Sequence, residues 1–527
     1  MASTDHRLLP DRPRFALGCV SAAIAILVTL PVLWIVYEAT TVDPALAWEL
    51  LTASQSLNIT LTSVGVMAFV TVFSILLGVP IAVLTTRTDL PFRRFWTIVA
   101  ALPLVIPSYI GAFAFVSAFG PHGEFGTVLG VTPPRVEGFS GSVLIITLYT
   151  YPYVFLTTRA ALLSMDTSLV EAARTLNASR IQAFRRVVLP QIRPAIGAGS
   201  LLVALYAISD FGTPAFMRLE VFTSAIYWEY DTYNVEYAAL LSLQLITIVA
   251  MILVIEAGIG RDEDATGGSG PGAKIRLGRL KWPAMGGLGL LGMLTLVVPV
   301  SIFGLWLLRG TGGEQPTLAF EWAYAFNSVY LAILAAIVAC SFAIPVAYYS
   351  VRSSAYVARL FERVTYVGFA VPGIVIGLAL IFFSLTWDSI FVLDIYRTIP
   401  LLVFAYVVRF LPQAVGTVRS SMLQVNEQLL EASRTLNAGR IETFRRVTLP
   451  LILPGVIAGG ALVFLTTMKE LPATLLLQPI GMGTLVTTIW TAHAEVFYGY
   501  AALPALILIL ISGLSMLVLL YQEDYGM

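Results

Sequence analysis

The chain has 527 residues, 58% of them hydrophobic and 12% charged, with a mean hydropathy of +0.85. Ordinary soluble domains carry about 25% charged residues, so this composition excludes a soluble protein and describes an integral membrane one. The 31 basic and 31 acidic residues cancel, which argues against a nucleic-acid partner; Cys19 and Cys340 lie in apolar runs and read as small hydrophobes, and the three histidines are scattered, so no metal-ligand cluster is visible.

A helix needs about 20 mostly apolar residues to cross a bilayer. In the first half such runs are predicted at roughly Ala16–Tyr37, Thr60–Leu84, Trp96–Phe119, Ser142–Leu163, Gln191–Met217 and Tyr237–Ile255. In the second they fall at roughly Trp282–Leu308, Ser328–Tyr349, Val364–Trp387, Ile399–Met422, Leu451–Leu477 and Ala501–Tyr521. Prolines within them, such as Pro80, Pro107 and Pro372, are tolerable because neighbouring helices satisfy the freed backbone groups. The first run has full span length and no convincing cleavage site, so it is expected to remain as a helix rather than act as a removable signal.

Basic residues fix the orientation, because short cytoplasmic loops carry the excess of Lys and Arg. With the N-terminus inside, the inner segments hold Arg87, Arg93, Arg94, Arg352, Arg359 and Arg363, while the outer ones keep only Arg135, Arg218, Arg309 and Arg397. Both termini are then cytoplasmic, and an even number of spans per half makes the halves parallel repeats. The expected layout is a first half at 1–260, a Gly-rich charged linker at 261–281 that is flexible and cytoplasmic, and a second half at 282–527. Within the linker, GGSGPGAK (Gly267 to Lys274) has a superficial likeness to a phosphate-binding loop, but Ala273 precedes the lysine, Ile275 follows it and no buried strand leads in. If ATP drives this protein, another chain binds it.

The most charged stretch, Glu171 to Ile196, returns as Glu431 to Val456, with 17 of 26 positions identical. Each copy lies in a loop between the fourth and fifth spans (169–190 and 429–450) and reads as a short amphipathic helix followed by Leu-Pro, where Pro suits the first turn of the next helix. Glu171 and Arg174 share a helical face. A loop that only met anionic lipid would need the basic residues, but not Glu171, Ala172, Phe184 and Leu189-Pro190 recurring at fixed spacing.

These residues, EAARTLNAS and EASRTLNAG leading to F and LP, resemble the EAA signature of permeases of ATP-binding-cassette importers. The resemblance implies an all-α polytopic membrane protein of about 12 transmembrane helices, arranged as two parallel six-helix repeats of the type I importer permease fold. It implies that Glu171, Ala172, Arg174 and Asn177, with Glu431, Ala432, Arg434 and Asn437, dock two copies of an ATPase. The family places Gly where Asn177 and Asn437 stand, and Ala where Ser433 stands. Asn is the non-Gly residue that most readily takes a left-handed backbone angle, so a preserved turn is expected.

Ionisable groups within a span need a reason. Asp210 and Glu470 each lie 20 residues after a proline, Pro190 and Pro450, hence about 30 Å from the helix start and near the outer mouth. Lys469 adjoins Glu470 and should point away from it on a helix, while Arg409 should lie near mid-bilayer. These charges either pair and hold the bundle together, or Asp210, Glu470, Lys469 and Arg409 line a translocation path between the halves. MKELPATLLLQP (Met468 to Pro479) with SDFGTP (Ser209 to Pro214) resembles fused permeases of ferric-iron importers. That likeness implies uptake of Fe(III) delivered by an extracytoplasmic binding protein, with no cofactor on this chain and ATP used by the partner; related fused permeases carry thiamine or polyamines. Tyr227, Tyr230, Tyr233 and Tyr237, with Trp228, Glu229, Asp231 and Glu236, offer oxygen donors to a hard cation or form an aromatic belt at the interface. A secondary transporter and a membrane enzyme are the rival classes. The first leaves the duplicated loop unexplained, and the second lacks a cluster of His, Asp or Glu.

Overall fold

The computed structural model describes residues 12–120, 123–130, 133–166, 168–259, 275–309, 320–353, 356–391, 394–436 and 439–525. Asn437, the linker up to residue 274 and the lysine-containing glycine motif lie outside these residues. Among the described residues ten helices are long and apolar enough to cross a membrane, or up to twelve if each of two bent pairs is one span. The one β contact among them is an isolated bridge between Thr88 and Ile275.

The third spans, predicted at Trp96–Phe119 and Val364–Trp387, are each a bent pair of helices. Arg93–Val105 meets Ser108–Ala118 at 92°, and Leu360–Ala370 meets Gly373–Asp388 at 102°. Each bend sits before a proline: Ile106 (ψ 125°) precedes Pro107 and Val371 (ψ 126°) precedes Pro372. The proline ring excludes the helical conformation from the residue before it.

The fifth runs are likewise shorter than predicted. The helix Leu189–Ser209 ends as Asp210 turns extended, and Gly212–Phe216 and Phe222–Asp231 follow as short helices. In the second repeat Leu449–Met468 gives way to Pro472–Leu477 and then Leu485–Ala494. Apolar length alone did not reveal these breaks, because Gly212–Phe216 and Pro472–Leu477 carry no charged residue and lengthen the apolar runs.

Compact packing divides the chain at different points from the repeat. One unit gathers the helix Arg12–Thr41 with the second repeat from Glu321 to Thr488 and again from Leu510; the other runs from Val42 to Phe320 and takes in Ile489–Ile509. The first span thus packs with the second repeat rather than with the segment that follows it.

Within each unit the fourth span is the most buried of the unbroken spans. The windows in Gly138–Ser164 and Ile399–Leu423 are 72% buried, whereas none of the other eight unbroken spans exceeds 39%. Close approach of the fifth span to the fourth is built on a repeated glycine. A Cβ on Gly199 would lie 2.4 Å from Thr157 Oγ1, and one on Gly459 would lie 2.4 Å from Thr417 Oγ1, so only glycine lets these backbones meet. A repeated serine in the second span holds the later short helix. Ser63 Oγ accepts the Phe222 N–H and Ser328 Oγ accepts the Leu485 N–H, both at 2.9 Å.

Candidate functional sites

The loop after the fourth span of the first repeat begins with Asp166, whose Oδ1 accepts the Ser168 N–H at 2.9 Å. That bond, with one from the Ser168 hydroxyl, holds the Asp166 carboxyl below the usual carboxylate range. Asn426 does the same work in the second repeat, its Oδ1 accepting the Gln428 N–H at 2.9 Å. Side-chain oxygens of Asp and Asn satisfy the orphan donors at a helix start, and the helices Ser168–Thr175 and Glu427–Thr435 follow.

The first helix ends at Asn177, which has φ 61°. Asn177 N–H donates to Arg174 O and Ala178 N–H to Ala173 O, both at 3.1 Å, the paired bonds of a left-handed helix terminus. Asn177 therefore takes the left-handed backbone angle expected of it. Ser179 and Gln182 then form a reciprocal cap: Ser179 N–H donates to Gln182 Oε1 at 2.9 Å and Gln182 N–H to Ser179 Oγ at 3.2 Å.

The departure at Ser433 has a partner. Ser433 Oγ lies 2.9 Å from Thr443 Oγ1, and both side chains are buried; the first repeat has Ala173 and Ala183 at these places. Two small apolar residues in one copy are exchanged together for a hydrogen-bonded pair in the other, so neither leaves a buried hydroxyl unpaired.

Glu171, Ala172, Arg174, Glu431 and Ala432 all lie on exposed faces of these short helices. Arg434 lies in the matching helix Glu427–Thr435. Sequence reasoning missed four apolar residues beside them. Leu176 is 83% exposed, Ile181 71%, Leu436 82% and Ile441 78%. Their repetition at equivalent positions was the available signal. Two bare aliphatic side chains at each loop tip present the apolar centre that a protein interface buries.

The junction between loop and fifth span is a π turn in both repeats, Phe184–Val188 and Phe444–Thr448. Leu189 N–H reaches back five residues to Phe184 O, and Leu449 N–H to Phe444 O. Pro190 and Pro450 stand next. A proline offers no N–H to the carbonyl four residues earlier, and the wider turn accommodates that loss.

At the other end of the fifth span the two acids differ. Glu470 is 5% exposed, and its Oε1 accepts from Arg409 Nη1 at 3.0 Å and from the Ala473 N–H at 3.3 Å. Asp210 instead accepts from the Ser108 hydroxyl at 2.9 Å through Oδ2 and from the Thr213 N–H at 3.4 Å through Oδ1; Ser108 Oγ also lies 2.9 Å from the Tyr206 hydroxyl. Tyr149 holds the place that Arg409 holds in the second repeat, three residues before the matching prolines Pro152 and Pro412, and its hydroxyl donates to Thr295 O at 3.0 Å. Of the two expectations for these charges, pairing describes Arg409 and Glu470, while Asp210 sits among hydroxyls. Lys469 ends the helix Leu449–Met468 as its C-terminal cap, so its direction relative to Glu470 is not set by helical geometry as the sequence suggested.

The aromatic and acidic stretch is drawn together around the end of Phe222–Asp231. Asn234 Nδ2 donates to Glu229 Oε2 at 2.9 Å, Tyr237 and Ser56 share a hydrogen bond of 2.7 Å, and Tyr233 takes φ 64° with its ring 91% exposed.

Comparison with known proteins agrees with the doubled architecture. The family model described as "Binding-protein-dependent transport system inner membrane component" matches residues 74–257 and again 341–524. The chain is 33% identical to the Fe(3+)-transport system permease protein FbpB 2 of Haemophilus influenzae, over 97% of this chain and 99% of that protein. It is 25% identical to the ferric transport system permease protein FbpB of Actinobacillus pleuropneumoniae over 90% of this chain and 72% of the relative. The molybdenum transport system permease protein ModB of Mycobacterium tuberculosis matches at 30% over 46% of this chain and 93% of its own length. Two family matches in one chain, each spanning one charged loop, are the doubled loop seen in the sequence, and the chain belongs to the binding-protein-dependent inner-membrane permeases of ATP-binding-cassette importers.

Proposed function

We propose that this permease imports ferric iron delivered by an extracytoplasmic binding protein. The observation that carries the cargo is the end-to-end likeness to a relative named as an Fe(3+) permease, 97% of this chain against 99% of that one. Shorter relatives named for sulfate and molybdenum belong to the same family, and thiamine, polyamines or another small cation are the alternative cargoes.

In this reading ATP is bound and hydrolysed by two copies of a separate subunit, one on each loop, and both termini are cytoplasmic. Glu171, Ala172, Arg174 and Asn177, with Glu431, Ala432, Arg434 and Asn437, make the docking surfaces. The exposed Leu176, Ile181, Leu436 and Ile441 support it, since aliphatic residues gain most when a partner removes them from water. Closure of the ATPase pair carries the loops with it and opens the path outward; hydrolysis reverses the motion. Asp210, held by the Ser108 hydroxyl and the Thr213 N–H and without an ion pair among the described residues, is the acid suited to attract a cation along the path. Lys469, Arg409 and Glu470 are the second repeat's candidates for the same role.

The test is ATP hydrolysis by the permease reconstituted with its ATPase and binding protein. Stimulation by the Fe(III)-loaded binding protein, and not by the same protein loaded with an organic cation, is expected. Uptake that survives an inactive ATPase but not an uncoupler would identify a secondary transporter instead.

A further inference from the structure

Three of the four arginines that the charge asymmetry places outside converge on one cavity. Arg135, Arg218 and Arg309, with Trp306, Tyr498, Glu124 and Glu137, line a space of about 690 Å³ within the unit that runs from Val42 to Phe320 and takes in Ile489–Ile509. Bare Fe(III) would be repelled by this lining, so a cation path does not explain it.

The cavity is built rather than incidental. Glu124 is fixed by the Trp306 indole N–H at 2.7 Å and by Arg309, and Glu137 accepts from Arg135 at 3.3 Å. Trp306 stacks on Tyr498 with ring centres 6.1 Å apart. Two of its lining residues are held in left-handed backbone that their side chains disfavour: Arg218 has φ 56° and the β-branched Val496 has φ 63°. Both close the end of a short helix, Leu219 N–H reaching Pro214 O and Phe497 N–H reaching Ala492 O, each at 2.9 Å. Glycine is the ordinary residue at such a terminus, and strain of this kind collects at functional sites.

We infer that this cavity is the seat for an acidic side chain presented by a surface loop of the substrate-binding protein. The inference rests on the importer reading above. Arg135 and Arg309 are each partly neutralised by a glutamate, which suits a bare small anion poorly. A protein loop adds apolar contact to its charge, and the lining combines Arg, Trp and Tyr, the residues that dominate protein-protein contact energies. The volume is also many times the ~30 Å³ occupied by one water molecule, which gives room for a side chain with its neighbours.

The experiment measures the affinity of the purified binding protein that stimulates wild-type ATP hydrolysis for the full transporter in lipid nanodiscs, at low and high salt. Arg218→Glu and Arg135→Glu, on separate loops, should each weaken binding by about tenfold at low salt and flatten its salt dependence. An acid-to-Arg substitution on the binding protein should restore affinity for the Arg218→Glu variant. Unchanged affinity in both variants, with normal assembly and melting temperature, would overturn the inference. So would saturable inorganic phosphate binding that Arg218→Glu abolishes while binding-protein affinity stays constant, since that marks a small-anion site. A wild type that no binding protein stimulates would sink the importer reading and this inference together.

Discussion

Arg409 and Glu470 meet at 3.0 Å only because residue 373 has no side chain. A Cβ on Gly373 would lie 1.9 Å from Arg409 Nη1 and 2.1 Å from Glu470 Oε1. The glycine sits at the start of the helix after the bend, so the break in the third span opens the space in which the pair forms.

Gly373→Ala should therefore part this pair. Breaking a buried ion pair by removing one partner costs about 3–5 kcal/mol, whereas replacing both partners by apolar residues is often neutral. Arg409→Met alone should lower the melting temperature of the purified permease more than Arg409→Met combined with Glu470→Leu. A double variant that melts below either single one would refute this account.

The two acids should separate in their phenotypes. Asp210→Asn keeps the hydrogen-bonding shape and removes the charge; uptake of radioactive iron into proteoliposomes, corrected for protein inserted, should fall at least tenfold if the charge stabilises the passing cation by about 1.4 kcal/mol. Glu470→Gln should chiefly reduce stability, because its charge is already committed to Arg409. Equal uptake by wild type and Asp210→Asn would remove Asp210 from the path.

Charge reversal on both loops, Glu171→Lys with Glu431→Lys, should leave the permease in the membrane and release its ATPase. Leu176→Asp with Leu436→Asp should do the same through the apolar tip. Co-purification of ATPase at the wild-type yield from either variant would count directly against the docking surfaces.

The turn at Asn177 has its own test. Asn177→Gly should retain ATPase binding, while Asn177→Val, which carries a penalty of about 1–2 kcal/mol in left-handed backbone, should weaken it. Titration of ATPase against the two variants in nanodiscs distinguishes them.

Asp89 ties residue 277, in the last part of the linker, to the end of the second span. Its Oδ1 accepts the Leu277 N–H at 2.8 Å, and Lys281 Nζ lies 3.9 Å from Oδ2. The Leu277 bond first, and the Lys281 charge as well, lower the Asp89 pKa. A carboxylate whose folded pKa is depressed contributes stability above its unfolded value of about 3.9 and loses it as pH falls through the folded value. Hydrogen exchange at the Leu277 amide should be slow at neutral pH relative to the Asp89→Ala variant, and the two should converge once the medium is acid enough to protonate Asp89.

How much of this was legible beforehand depended on which interactions were local. Span number, the repeat and the loop chemistry follow from apolar length and from residues close in sequence, and Asn177 took the angle its side chain favours. The bends at Pro107 and Pro372 were visible as prolines, but their angle depends on packing partners. The pairing of Arg409 with Glu470 spans 61 positions, and Arg135, Arg218 and Arg309 converge from places far apart in the chain; no periodicity encodes such meetings. The exchange of Ala173 and Ala183 for Ser433 and Thr443 was present in the repeat alignment, where it looked like drift.

The π turns at Phe184–Val188 and Phe444–Thr448 have a bearing on aim. Each residue of an α-helix advances the chain by about 100° of rotation, and a π turn holds one residue more than the α register requires. The azimuth of each loop about its fifth span is thereby set by a single inserted residue. Deleting one residue from the turn would leave both helices intact and point the proposed docking surface about a quarter-turn away, a fault of phase with no loss of contact chemistry.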